Sequence, residues 1–125
     1  MTDQSNQRKY YRINVDIPIR FCIYHKGETR DNGTKCFEAR TRDISIGGLQ
    51  ITMDRLIEEL FLIDTYVRVD MNLPGTGVKL ELTATPRKIH SIDEDTDTHP
   101  IRMEFNEVTD EQMSIIRNFI EKHKE

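Results

Sequence analysis

The sequence predicts an all-β fold, namely a six-stranded antiparallel β-barrel with a short helix between strands and a C-terminal α-helix. Apolar and polar residues alternate in about six segments, as half-buried strands require, and turn residues separate several of these segments. The last segment repeats its apolar residues at helical spacing instead. Antiparallel strands with one solvated face commonly close into a barrel, since closure removes the exposed edges.

The first predicted strand is the longest alternating run in the chain. Apolar residues occupy its odd positions: Ile13, Val15, Ile17, Ile19, Phe21 and Ile23. Pro18 has no N–H to donate, so we expect this strand to be bulged there or to lie at an edge. Asn32 and Gly33 predict a turn, after which a second strand runs through Phe37, Ala39 and Thr41.

The middle of the chain predicts a third strand and a short helix. The strand begins with Leu49, Ile51 and Met53, and Asp54 after it is a residue type that caps helices. The apolar residues of this helix share one face: Leu56, Ile57, Leu60 and Phe61. The extent of the helix is left open by this pattern, since residues 61–69 can also be read as extended.

The remaining segments predict a hairpin, a last strand and the terminal helix. Residues 67–73 and 78–84 alternate on either side of the turn at 74–77, and a short strand follows at 101–105. Thr109, with Gln112 three residues later, has the spacing of a capping box, which starts a helix over 109–124. Its apolar stripe, which we expect to cover the core, consists of Met113, Ile116, Phe119 and Ile120.

Length and composition predict one soluble domain. The 125 residues divide into a flexible basic N-terminal arm over 1–10 and a barrel with its helix over 11–125. No apolar run approaches the ~20 residues of a membrane span, and the polar N-terminus is unlike a secretory signal. We therefore expect a cytoplasmic protein without membrane insertion, in which Cys22 and Cys36 are free thiols.

The distribution of charge favours a specific anionic ligand. The net charge of −4 argues against a general nucleic-acid binder. Arg8, Lys9 and Arg12 nevertheless form a basic cluster, whereas the acidic residues at 93–97 are expected in a solvated loop. A local basic arm on an acidic domain suits a small anion better than a polyanion.

The segment 41–49 places polar groups where a strand gives way to a turn. The Asp43 carboxylate can accept two donors side by side, such as guanine N1–H and its N2 amino group, and the Ser45 hydroxyl adds a donor and an acceptor. Gly47 and Gly48 allow a sharp turn and close approach of a flat ligand. Alone, Asp43 and Ser45 could equally form a turn that satisfies its own backbone.

The pair of motifs Arg8-x-x-x-Arg12 and Asp43-x-Ser45-x-x-Gly48 resembles the signature of the PilZ domain, a bacterial receptor for cyclic di-GMP. That family is described as a six-stranded antiparallel barrel with a C-terminal helix, so the resemblance covers nearly the whole chain. It implies that Arg8 and Arg12 bind phosphates and guanines, that Asp43 and Ser45 read a guanine edge, and that Gly48 keeps the turn open. Secondary contacts are expected from Lys9, Arg42, Gly47 and Arg87.

The resemblance implies a receptor that acts through an unidentified protein effector on motility, pili, biofilm or exopolysaccharide. Gln7 stands where relatives that bind a stacked ligand dimer have a basic residue, which leaves the stoichiometry open. The alternative is a PilZ-like protein-interaction adaptor that binds no nucleotide. The sequence contains no nucleophile–base pattern and no phosphate loop, so we do not expect an enzyme. The four histidines lack metal-ligand spacing, so no cofactor is expected.

Overall fold

The structure is a computed structural model that describes residues 12–26, 35–89 and 98–123. Its strands are β1 (Ile13–Asn14), β2 (Pro18–His25), β3 (Lys35–Ser45), β4 (Gly48–Met53), β5 (Thr65–Leu73), β6 (Val78–Lys88) and β7 (His99–Glu107). A single 3-10 turn covers Glu58–Phe61, and the helix α1 covers Asp110–His123. Within these ranges, no helix has the length and apolar character to cross a bilayer.

Six strands close into an antiparallel barrel. They pair in the order β3-β2-β5-β6-β7-β4, and β4 pairs back onto β3. The short β1 lies outside this ring and pairs with the far end of β3, with Asn14 opposite Asp43. The predicted six-stranded barrel with a C-terminal helix is therefore confirmed, and every strand of the ring has two neighbours.

The predicted first strand is divided into β1 and β2. The break falls at residues 15–17, and Pro18 becomes the first residue of β2, where a missing N–H costs no ladder hydrogen bond. Thr41 anchors the break: its hydroxyl donates to Val15 O at 2.6 Å and accepts from Ile17 N at 2.9 Å. The prediction of one continuous strand was wrong, but all six odd-numbered apolar residues still face inward or are partly covered.

The predicted short helix is a 3-10 turn with a different start. Ile57 rather than Asp54 occupies the N-cap position, and no side chain caps the turn. Only Leu60 of this turn is buried, at 1% exposure. Ile57 and Phe61 are partly buried and also pack against the core, so the turn is held by a short apolar contact around Leu60.

The helix α1 starts as predicted and packs through most of the predicted stripe. Thr109 and Gln112 form the capping box: Gln112 N donates to the Thr109 hydroxyl at 3.1 Å, and Thr109 N donates to Gln112 Oε1 at 3.0 Å. Ile116, Phe119 and Ile120 are buried in the same core as the inward residues of the barrel. Three of the four predicted stripe residues therefore cover the core, whereas Met113 is not part of it and Ile115 packs against it instead.

The two cysteines form a disulfide, which corrects the expectation of free thiols. Cys22 of β2 and Cys36 of β3 are directly opposite each other in the sheet, and the structure joins them. The expectation rested on the compartment inferred from composition, and composition carries no information on strand register.

The Asn32-Gly33 turn and the acidic cluster at 93–97 lie outside the described residues.

Gly48 is required by the pairing of β4 with β7. It lies opposite Glu104, and a Cβ at this position would press against the carbonyl oxygen of Met103 more closely than real Cβ atoms approach. The obstacle is the backbone of a paired strand, which cannot rotate aside as a side chain can. A glycine at this point therefore keeps the barrel closed.

A substitution tests this requirement. Gly48→Ala should lower the free energy of unfolding by about 1–3 kcal/mol, the usual cost of overpacking, as measured by urea denaturation. Lys79→Ala, at an exposed position of β6, should stay within about 0.5 kcal/mol of the wild type. Equal stability of Gly48→Ala and the wild type would show that β4 and β7 separate here at no cost.

The 3-10 turn is joined to the barrel by Glu59. Its carboxylate lies 3.1 Å from His25 Nε2 and accepts a hydrogen bond from Lys35 Nζ at 3.1 Å, while His25 Nδ1 lies 2.9 Å from the Thr65 hydroxyl. The hydrogen bonds from His25 and then Lys35 lower the pKa of Glu59 below its usual value of 4.5. The ionised carboxylate thus connects β2, β3 and the turn.

This lowered pKa predicts an acid-labile contact. A carboxyl group whose pKa is lower in the folded state stabilises the fold above its unfolded pKa, and this contribution is lost as pH falls through the folded pKa. The melting temperature of the wild type should therefore fall more between about pH 5 and about pH 3 than that of Glu59→Gln. Glu58→Gln, an exposed neighbour in the same turn, should behave like the wild type, and equal pH dependence in all three would contradict the prediction.

Candidate functional site

A β-bulge in β3 turns the Asp43 side chain to the outside of the barrel. The register with β4 shifts between Thr41 and Asp43, so that Arg42 has no partner residue on that strand. Thr41 is buried on the inside, and Ile44 is again inside at 0% exposure. Strict alternation from Thr41 would have directed the Asp43 side chain into the core. The extra residue of the bulge turns it to the outside instead.

Asp43 has an unused acceptor atom. Its Oδ1 is buried and has no hydrogen-bond partner among the described residues, although the side chain as a whole keeps 14% of its surface exposed. Arg12 Nη1 lies 3.9 Å from this oxygen, close enough for ionic attraction but too far for a hydrogen bond. A buried carboxylate oxygen without a donor is uncommon and requires an explanation. Here a cation stands beside an acceptor that is free for a ligand.

The Ser45 hydroxyl is engaged by its own turn. It accepts a hydrogen bond from Gly47 N at 3.1 Å and lies 3.4 Å from Gly48 O, to which it donates. Ser45 is only 7% exposed. The self-satisfied turn that the sequence left open is thus present at Ser45, whereas Asp43 Oδ1 takes no part in it. The serine holds the turn that follows Asp43.

The secondary candidates are spread around this turn. Gly47 O accepts from Phe105 N at 2.9 Å, which fastens the turn to β7. Arg42 is exposed at the bulge. Arg87 of β6 is exposed and donates from Nε to Glu104 Oε1 at 3.1 Å. Arg8 and Lys9 lie outside the described residues.

Two residues that the sequence did not single out share the outer face with Asp43. Gln50 of β4 is directly opposite Asp43, and Arg102 of β7 is directly opposite Gln50. Both are half-buried. The only sequence signal for them was their position between inward-facing residues of two strands, and that signal does not say which strands are neighbours. No group of three or more metal-ligating side chains occurs in the described ranges.

Comparison with known proteins identifies the family. The family model of the PilZ domain matches residues 6–122. No curated protein matches the sequence. Among solved structures, the PilZ domain of Escherichia coli YcgR with cyclic di-GMP has 20% sequence identity and a TM-score of 0.61, covering 94% of this chain and 92% of that one.

Two larger proteins contain a similar fold. Bacillus subtilis inhibitor of motility (MotI/DgrA) has a TM-score of 0.67 at 16% identity, over 93% of this chain and 50% of that one. The K. pneumonia MrkH complex with cyclic di-GMP has a TM-score of 0.68 at 13% identity, over 92% and 51%. This chain therefore spans about half the length of both proteins. The family match over nearly the whole chain, together with the six-stranded barrel, shows that this protein belongs to the PilZ domain family.

Proposed function

We propose that this protein is a receptor for cyclic di-GMP. The observation that carries the proposal is the unpaired, buried Oδ1 of Asp43 beside the guanidinium of Arg12. Membership of the PilZ family supports it, as do YcgR and MrkH, similar structures that contain cyclic di-GMP. A nucleotide is the ligand class that needs both an acceptor for its base and a cation for its phosphate.

The chemistry of guanine suits Asp43. Guanine presents two neighbouring donors, N1–H and the N2 amino group, and a carboxylate offers two acceptor oxygens in matching geometry. The proposed role of Arg12 is to bind a phosphate or to stack on the base, because its planar guanidinium can do either. Ser45 and Gly48 contribute by holding the turn, and Gly47, Arg42 and Arg87 are proposed as secondary contacts.

The signal is proposed to pass through the N-terminal arm. Arg8 and Lys9 would join Arg12 on the ligand, and their contacts would supply the free energy that orders residues 1–10 against the barrel. A protein effector would then recognise the changed surface. The output pathway is proposed by family likeness alone, as motility, pili, biofilm or exopolysaccharide control. The receptor itself carries out no reaction.

We propose the cytoplasm as the place of action, because a receptor for an intracellular second messenger must meet it there. The disulfide between Cys22 and Cys36 is the feature that fits this compartment least well, since cytosolic reductants keep most thiols reduced. The cysteines are on β2 and β3 and outside the proposed ligand contacts, so the receptor proposal does not depend on their oxidation state.

Calorimetric titration with cyclic di-GMP tests the role of Asp43. Asp43→Ala should weaken binding at least about tenfold, since a charged hydrogen bond contributes about 1.5–3 kcal/mol. Asp54→Ala removes an exposed carboxylate from the end of β4 and should bind like the wild type. Cyclic di-AMP should bind the wild type poorly, because adenine lacks the paired N1–H and N2 donors.

Two outcomes of this titration contradict the proposal in different ways. If the wild type releases no heat and shows no thermal shift at ligand concentrations of tens of micromolar, the receptor function is wrong and the nucleotide-free adaptor takes its place. If the wild type binds and Asp43→Ala binds equally well, the guanine edge is read elsewhere on the domain.

A protection experiment tests the arm. Trypsin cleaves after Arg8, Lys9 and Arg12, and saturating cyclic di-GMP should slow cleavage at these bonds several-fold if binding orders the arm. Cleavage after Lys26, an exposed residue in the turn after β2 and outside the proposed ligand contacts, is the internal control and should not change. Arg12→Lys keeps the charge but loses the planar fork, so its affinity should fall. Ligand binding without any protection at residues 8–12 would refute the proposed ordering.

A further inference from the structure

A row of four polar side chains crosses the outside of the barrel from Asp43. Asp43 on β3 is opposite Gln50 on β4, Gln50 is opposite Arg102 on β7, and Arg102 is opposite Arg87 on β6. Gln50 and Arg102 each lie between buried neighbours in their own strands, which directs their side chains outward, and Arg87 is exposed next to the buried Pro86. The row thus runs from a carboxylate, through an amide, to two guanidinium groups.

The two arginines form a like-charge pair. Arg87 and Arg102 are directly opposite on neighbouring strands, an arrangement that destabilises a sheet. Glu104 neutralises only one of them, through its 3.1 Å ion pair with Arg87. The Arg102 side chain is half-buried and has no hydrogen bond or ion pair among the described residues. An anion bound at this point would relieve the repulsion and give Arg102 a partner.

At the other end of the row, the side chains of Asp43 and Gln50 lack hydrogen-bond partners among the described residues. Asp43 Oδ1 is a buried acceptor without a donor, and the Gln50 side chain also has no partner in the described part of the chain. Neighbouring strands are about 4.8 Å apart, so the backbones at Asp43 and Arg102 are about 10 Å apart. One ligand with hydrogen-bond donors at one end and an anionic group at the other can therefore contact both.

Arg12 and Arg102 lie on opposite sides of Asp43. Asp43 pairs with Asn14 of β1 across one edge of β3 and with Gln50 of β4 across the other. Arg12 belongs to the β1 side, two residues before Asn14. A ligand whose base is held by Asp43 thus has a cation on each side, which matches a nucleotide with two phosphodiester groups.

We propose that Arg102 is a further ligand-binding residue, which together with Arg87 holds the second phosphodiester of the cyclic dinucleotide. Gln50 bridges the two ends by hydrogen-bonding to the ligand between Asp43 and Arg102. This inference rests on the proposed function, since it assigns residues to the same ligand. It extends the site from the β3–β4 turn across β7 to β6.

Calorimetric titration of the full chain with cyclic di-GMP, combined with urea denaturation, tests the proposal. Arg102→Gln should bind at least about tenfold more weakly than the wild type, in line with the loss of a charged hydrogen bond. Arg117→Gln on α1 changes the net charge equally and should bind like the wild type. Without ligand, Arg102→Gln should unfold at the same or a higher urea concentration, because the mutation removes the repulsion with Arg87.

The outcomes separate this inference from the function on which it rests. No binding by the wild type overturns both. Wild-type binding that is weakened by Asp43→Ala but not by Arg102→Gln overturns the role of Arg102 alone. An equal loss in Arg102→Gln and Arg117→Gln shows a general charge effect, and a loss of affinity accompanied by a lower urea midpoint shows a structural role. Either of these last two results also overturns the proposal.

Discussion

The register shift in β3 is the constraint on which the rest of the site depends. β3 pairs with β2 along one part of its length, with β4 along another and with β1 at its end, so it carries both the closure of the barrel and the attachment of the N-terminal segment. The extra residue between Thr41 and Asp43 changes which side chains of β3 point into the barrel and which point out. Before it, Thr41 faces inward and anchors residues 15–17; after it, Asp43 faces outward beside Arg12.

The barrel holds the polar groups of the site in place by packing alone. Ile44, Leu49, Ile51, Ile101 and Met103 are fully buried, and they alternate with the outward residues on β3, β4 and β7. A shift of any of these strands by one residue would move the apolar set out of the core, which makes the register costly to change. Packing of the core therefore keeps the unpaired Asp43 oxygen and the facing arginines in place, although their local electrostatic energy is unfavourable. Such locally unfavourable arrangements are common where a protein binds a ligand.

Structural and functional roles overlap within the Asp-x-Ser-x-x-Gly segment. The Ser45 hydroxyl is hydrogen-bonded within the turn, and Gly48 allows the close approach of β7. The fold therefore accounts for both residues without a ligand. Asp43 is the member of the motif that the fold does not explain, because its Oδ1 accepts no hydrogen bond from the described residues. Within this motif, Asp43 is therefore the residue to which the proposed function assigns recognition of the ligand.

The segments that become strands, the capping box of α1, the inward residues and the motif residues near the β3–β4 turn could all be predicted from the amino-acid sequence. These features are local: alternation at period two and a Thr–Gln spacing of three residues can be read without knowing what packs against them. Three features could not be predicted from the sequence and became visible in the folded barrel: the bulge that turns Asp43 outward, the pairing of Cys22 with Cys36, and the row from Asp43 through Gln50 to Arg102. Each of these depends on which strands are neighbours and in what register, and those choices minimise the free energy of the whole barrel rather than of any one segment.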